Sequence, residues 1–405
     1  MRLVPLRELC AFRHGGTPSK AVAAFWSGDI PWVSPKDMKT STVCDASDRI
    51  TEEAVANSAT SVVPPGCTLL VVRSGILAHT FPVALVTGPV AFNQDIKAVV
   101  PKSADVSADY VYWFLRSKAS DVVARGVKKG ATVHSVQSGF IEGLQVPLVE
   151  RDEQLRIVDL LSRAEGIVRL RRQAQHRAAE LIPALFVDMF GNPATNPKCW
   201  PTSRLRDLVD FQSGGTPSKA RDDYWQGDVP WVSPKDMKRL ALYDAIDHIS
   251  SLVLAETSLK LVPVGSVLIV VRGMILAHTV PVAEARVPLT VNQDMKALLS
   301  KGAIHSTYLL WMLQVCHDRL LAQVTTAAHG TKKLDTARLE EMIIPVPPAA
   351  MQQAFETNVR RMEAIQQHQV NAAAKAEAAF SAQLARAFAA EAAGTAVHEA
   401  EEVGS

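Results

Sequence analysis

Gly15-Gly16-Thr17-Pro18-Ser19-Lys20 and Pro31-Trp32-Val33-Ser34-Pro35-Lys36-Asp37-Met38-Lys39 are each written twice in this chain. They return as Gly214-Gly215-Thr216-Pro217-Ser218-Lys219 and Pro230-Trp231-Val232-Ser233-Pro234-Lys235-Asp236-Met237-Lys238, at a constant offset of 199. Between residues 6–39 and 205–238, 23 of 34 positions are identical. The same offset pairs Val71-Val72-Arg73 with Val270-Val271-Arg272, and Asn93-Gln94-Asp95 with Asn292-Gln293-Asp294. Later it slips to 198, matching Pro147 to Pro345 and Gln154 to Gln352. Solenoid repeats have periods of about 20–50 residues, so this is a duplicated domain with its linker. Residues 40–62 diverge from 239–261, and 99–130 from 298–329. These segments are expected to be variable loops or surfaces where the copies differ in task.

Inside each copy, Thr68-Leu69-Leu70-Val71-Val72 and Val267-Leu268-Ile269-Val270-Val271 are short, β-branched apolar runs opened by Gly66 and Gly265. They read as buried strands. Asp109 to Leu115 and Tyr308 to Leu313 read as short helices. A different texture follows each copy. Ile157, Leu161, Ala164, Val168, Ala178, Ile182, Leu185 and Met189 recur at steps near 3.5 residues, the pattern of a coiled-coil seam. At about 1.5 Å per residue this helix would be roughly 60 Å long. Pro183 should kink it, and Gly191-Asn192-Pro193 should stop it. Phe355, Val359, Met362, Ile365, Gln369, Ala372 and Ala376 trace a comparable stripe.

The expected class is α+β: two similar mixed domains (1–150 and 192–348) and two long helices (151–191 and 349–393), with a disordered tail (394–405). Neither helix has an apolar face wide enough to stand alone. They are expected to pack antiparallel as a coiled coil, which relates the domains by a pseudo-two-fold axis; two unconnected linker helices are the alternative.

The chain has 405 residues, 48% hydrophobic and 21% charged, with a net charge of +2. Each repeat carries +2 and the last 57 residues −3, so any nucleic-acid surface must be a local patch. No run is apolar enough for a membrane span, and the N-terminus lacks signal-peptide features. Cys10, Cys44, Cys67, Cys199 and Cys316 are scattered without a Cys-x-x-Cys pair, which argues against structural zinc or a disulfide framework and suggests the cytoplasm.

The order of these parts resembles the specificity subunits of type I restriction-modification systems. The likeness rests on Leu6-Arg7-Glu8-Leu9 leading to Gly15-Gly16-Thr17-Pro18-Ser19, on Pro31-Trp32-Val33, Asn93-Gln94, Pro147 with Glu153-Gln154, and on Leu185-Phe186 with Phe190-Gly191. It implies two target-recognition domains, each reading half of a split double-stranded DNA site, with the helices setting the gap. It also implies two methyltransferase subunits carrying S-adenosylmethionine, and two restriction subunits carrying ATP-driven, magnesium-dependent activity. No cofactor is expected on this chain. The family's two domains often differ, whereas these are much alike, so the expected site is an interrupted near-palindrome.

The candidate DNA contacts each have a plainer reading. Lys36, Lys39, Lys235 and Lys238 are phosphate or base contacts, or solvated loop charges. Arg73 and Arg272, at strand ends, suit bidentate contact with guanine, or anchor a carboxylate within the domain. Gln94 and Gln293, like the asparagines before them, could pair with adenine or satisfy a turn. Ser19, Lys20, Ser218 and Lys219 follow a turn whose amides could cradle a phosphate, although it is no P-loop. His79 and His278 are structural or DNA-facing, with no second ligand at metal spacing. Lys128 with Lys129, and Lys332 with Lys333, form basic pairs at comparable places, as phosphate contacts or solvated faces. Trp32, Trp113, Trp231 and Trp311 read as core, since duplex DNA offers no splayed bases to stack on.

Asp95-Ile96-Lys97 and Asp294-Met295-Lys296 have the acid-x-lysine form of metal-dependent nucleases, but Pro35 and Pro234 are followed by lysine where the second acid belongs. Asn192-Pro193-Ala194 and Asn196-Pro197-Lys198 lack the second proline and aromatic of an adenine methyltransferase. The chain therefore reads as non-catalytic, with a protein-binding scaffold, or a specificity subunit of a related modification or restriction system, as the alternative function.

Overall fold

The computed structural model describes residues 2–130, 133–327 and 330–389. The expected tail, and the last four residues of the expected second helix, lie outside them. The chain divides into two units, one of residues 1–172 with those from 372 onward, the other of residues 173–371.

In the first unit a five-stranded sheet runs Cys10–His14, Ile96–Pro101, Thr68–Val71, Val83–Val86, Thr42–Val43. Only its last pair is parallel. The second unit repeats this order with Val209–Ser213, Met295–Ser300, Val267–Val270, Val282–Ala285 and Ala241–Leu242. The apolar runs read as strands are the central ones, and every residue of Thr68–Val71 and Val267–Val270 is buried. Gly66 and Gly265 precede them with φ of +87° and +84°, a turn conformation that glycine adopts without strain.

A second sheet holds Ile30–Val33 beside Val90–Phe92 in parallel, with Asp48–Ile50 on the other side. In the second unit Val229–Val232 lies likewise between Thr290–Val291 and Asp247–Ile249. Trp32, Trp113, Trp231 and Trp311 are all buried.

The expected short helices are Ala108–Ser117 and Ser306–Val315. Their faces fill the cores, and the Tyr110 and Tyr308 hydroxyls donate to the carbonyls of Pro147 (2.6 Å) and Pro345 (2.9 Å). Burial pushes the Tyr110 phenol up to about 12. The divergent segments 99–130 and 298–329 are therefore not chiefly surface loops. They contain core helices, where apolar swaps of similar volume are tolerated.

The long helices are Arg151–Phe190 and Ala349–Ala387. The first continues through Pro183 and ends at Gly191, whose φ of +78° lets its N–H reach the Val187 carbonyl (2.8 Å). Each helix is pinned near its start by a fully buried glutamine. Gln154 accepts from the Ser107 amide (2.9 Å) and donates to the carbonyls of Asp105 (2.9 Å) and Val149 (3.0 Å). Gln352 does the same with His305, Ala303 and Pro347.

Within each unit the two helices run antiparallel. In the first, Glu165 and Phe380 share Arg116, and Arg172 meets Glu377. In the second, Phe186 and Phe190 pack on Phe355, and Gln366 donates to the Ala178 carbonyl (2.7 Å). Leu161, Val168, Ala178 and Ile182 are buried as the stripe requires. Ile365 is not: it is 52% exposed, and Gln366 turns inward beside it. Phe186, Phe190 and Phe388, absent from the expected stripes, are buried in the unit cores.

Candidate nucleic-acid interface

Phe92 and Val33 are paired in the parallel register of the second sheet, so the loops that follow them leave at one end. Those loops are Ser34 to Lys39 and Asn93 to Asp95. Val291 and Val232 launch the equivalent pair in the second unit. The Gly-Gly-Thr-Pro-Ser turn joins them, because the Gly16 amide donates to the Phe92 carbonyl and the Gly215 amide to that of Val291, both at 3.0 Å. An added Cβ at Gly15 would lie 2.2 Å from the Asn93 carbonyl oxygen, and at Gly214 2.0 Å from that of Val291. Only glycine allows this approach.

Equivalent packing in the two copies shapes the turn. Trp32 and Trp231 donate to the carbonyls of Gly16 (3.0 Å) and Gly215 (2.9 Å), and Trp26 and Trp225 to those of Ser19 (3.1 Å) and Ser218 (3.2 Å). Ser19, Lys20, Ser218 and Lys219 are left exposed. The Thr17 hydroxyl donates to the side-chain oxygen of Gln94, and Thr216 to that of Gln293, which sets the orientation of both exposed carboxamides. Asn93 and Asn292 are buried and close their own turns onto Asp95 and Asp294, the plainer reading for asparagine.

The Asp95 carbonyl accepts from the amides of Val72 (2.8 Å) and Arg73 (3.2 Å), and Asp294 from Val271 (2.8 Å) and Arg272 (3.1 Å). This seats each exposed arginine beside the glutamine loop. Arg73-Ser74 then pairs with His134–Val136, which pairs with Val127-Lys128. In the second unit Arg272 bridges to Lys333, on the ribbon Val324–Thr326 with Lys332–Leu334. The two lysine pairs thus fall on corresponding ribbons of the two units but on different strands: Lys128 on the outer, Lys332 and Lys333 on the middle. They are not the equivalent positions expected. His79 and His278 close the helical turns after each arginine and are exposed.

In the Pro-Lys-Asp-Met-Lys loops, Asp37 accepts from the amide (3.0 Å) and hydroxyl (2.8 Å) of Ser34, and from the amide (3.1 Å) and hydroxyl (2.6 Å) of Ser47. Partial burial pushes its carboxyl up, but the bonds from Ser47 and Ser34 outweigh this and hold it below its ordinary range. Asp236 accepts likewise from Ser233 and Ile246. Lys36 pairs with Asp48 and Lys235 with Asp247, each at 2.7 Å, and the hydrogen bond raises both ammonium groups above their usual range. Lys39 and Lys238 are exposed. Thr17, Asp37 and their copies escaped the sequence reading, although Ser-x-x-Asp spacing marks a self-closing turn.

Lys97, of the acid-x-lysine string, is buried and donates to Ser138 (2.7 Å). Among the described residues no group of three or more His, Cys, Asp or Glu could hold a metal, and no helix is long and apolar enough to cross a membrane.

Comparison with known proteins identifies the family and the fold. The EcoR124I/EcoR124II type I restriction enzyme specificity subunit of Escherichia coli is 38% identical over 177 residues, which span 44% of each chain. The MjaIX specificity subunit of Methanocaldococcus jannaschii is 24% identical over 382 residues, 88% of this chain and 85% of that one. Among solved structures, a chain from work on complex assembly and conformational transition of the type I R-M system superposes with a TM-score of 0.63 at 17% identity, over 96% of this chain and 97% of that one. The S subunit from M. genitalium gives 0.53 at 13% identity, over 95% of each; both share the fold. Residues 1–177 and 197–370 each match the family described as type I restriction modification DNA specificity domain, and the chain belongs to that family.

Proposed function

We propose that each unit reads one half of an interrupted, near-palindromic duplex site, and that the chain supplies recognition while partner subunits supply chemistry. One observation carries this reading. The same exposed constellation, a glycine turn with Ser19 and Lys20, an oriented Gln94 and an adjacent Arg73, is built twice from residues distant in sequence. Glutamine and arginine are the side chains that address adenine and guanine edges in the major groove. The exposed lysines and serines of the turns suit phosphates.

Methyltransferase subunits would dock on the long helices, where Leu160, Ile167 and Leu170 share one face at heptad-like spacing and stay 49%, 54% and 62% exposed. S-adenosylmethionine, and the ATP and magnesium of any restriction subunit, would reside on those partners. The test is a mobility-shift series with the methyltransferase complex at rising salt. Affinity for a cognate duplex should fall steeply and log-linearly. Salt-insensitive or absent binding overturns the reading in favour of a protein scaffold.

A further inference from the structure

Strand register makes the two ribbons comparable position by position. In the first unit Val127 faces Val136, and Lys128, Ser135 and Arg73 form one cross-strand row. In the second, Val324 faces Leu334, and the matching row is Thr325, Lys333 and Arg272. The next row has His134 beside Ser74 in one unit, and Thr326 with Lys332 beside Gly273 in the other. Arginine is common to both. The lysine pair stands at the end of the outer strand of the first ribbon (Lys128, with Lys129 just beyond it) and on the middle strand of the second (Lys332, Lys333).

Directly opposed residues project from the same face. On the arginine's face the swap therefore moves one cation, Lys128 in the first row and Lys333 in the second, by one strand spacing, about 4.8 Å. Successive nucleotides along a strand are about 3.4 Å apart, so the displacement exceeds one base step. The turn, glutamine and arginine beside the ribbon are the same in both units. The ribbon differs while its neighbours do not.

We infer that this ribbon is the specificity-determining element that makes the two half-sites differ. The half-sites share the bases facing Gln94 and Arg73, or Gln293 and Arg272, and diverge at one or two adjacent pairs facing Lys128 in one unit and Lys333 in the other. The inference rests on the DNA-reading function proposed above.

Methylation-motif sequencing with the intact complex tests it. The native motif should show two half-sites that agree except at adjacent positions; identical half-sites overturn the inference. K128T/K129T/H134K/S135K gives the first unit the second unit's ribbon and should convert its half-site to that of the second, leaving the other half unchanged. T325K/T326K/K332H/K333S makes the reciprocal change. An unaltered motif with uniformly weaker binding would reduce the ribbon to a phosphate contact and defeat the idea. Should a swapped complex fail to assemble, Lys128→Thr alone should lower the preference for the native base over its competitors at least fivefold, and equal loss on all sequences counts against it. Native protein that binds no DNA defeats the function itself; native binding with an ineffective swap defeats only this inference.

Discussion

The Arg73 amide is fixed by the Asp95 carbonyl, so the residue's backbone is already held in place for the contact proposed above. A bidentate guanine contact is worth about 1–3 kcal/mol, roughly 5- to 150-fold in affinity. Arg73→Ala should cost that much on the cognate duplex and relax one position of one half-site. Binding assays on single-base variants check this, and a uniform loss across all of them would assign Arg73 to phosphate. Asp37 makes a different prediction. Its folded carboxyl titrates below its unfolded value of about 3.9. The stability it contributes is therefore present above that pH and lost as pH falls through the lower, folded value. Hydrogen-exchange protection of the Ser34 and Ser47 amides should drop in acid below about pH 4, and be low at neutral pH in Asp37→Ala.

At the scale of elements, the glycine turn and the Asn-Gln loop touch only because Gly15 has no side chain. Gly15→Ala should force them apart, abolishing ordered DNA contact by the first unit while circular dichroism stays native. A variant that binds normally would show that the approach is dispensable. The long helices make a separate case. Their seam residues bury apolar surface within each unit, yet Leu160, Ile167 and Leu170 remain outside it. Replacing Leu160 and Ile167 by glutamate should leave thermal melting almost unchanged, since exposed positions tolerate charge. It should remove co-purification with the methyltransferase subunit; retained assembly would place the partner elsewhere.

For the molecule as a whole, the C-terminal end of the second helix belongs to the unit that begins the chain. Phe388, 2% exposed, packs on Tyr110 and Phe114, and Phe380 packs on Trp113. Phe388→Ala should destabilise the first unit by about 3–5 kcal/mol, the usual cost of a buried phenylalanine. Hydrogen exchange should report lost protection at Tyr110–Leu115 and none at Tyr308–Leu313. Equal loss in both would contradict the division into units.

Much of this was legible before any coordinates. Repetition marked two domains, continuous β-branched runs marked buried central strands, and a 3.5-residue period marked paired helices, because each of these is a local or periodic property of the chain. Where polar groups meet is neither. Thr17 and Gln94 are 77 positions apart, and Lys36 finds Asp48 only because two short strands pair between them. Likewise Lys128 and Lys333 look alike in sequence, and only strand register puts them on different strands of the two units' corresponding ribbons. Composition and period determined the elements; long-range pairing, which chooses among many chemically acceptable partners, decided the surface they present.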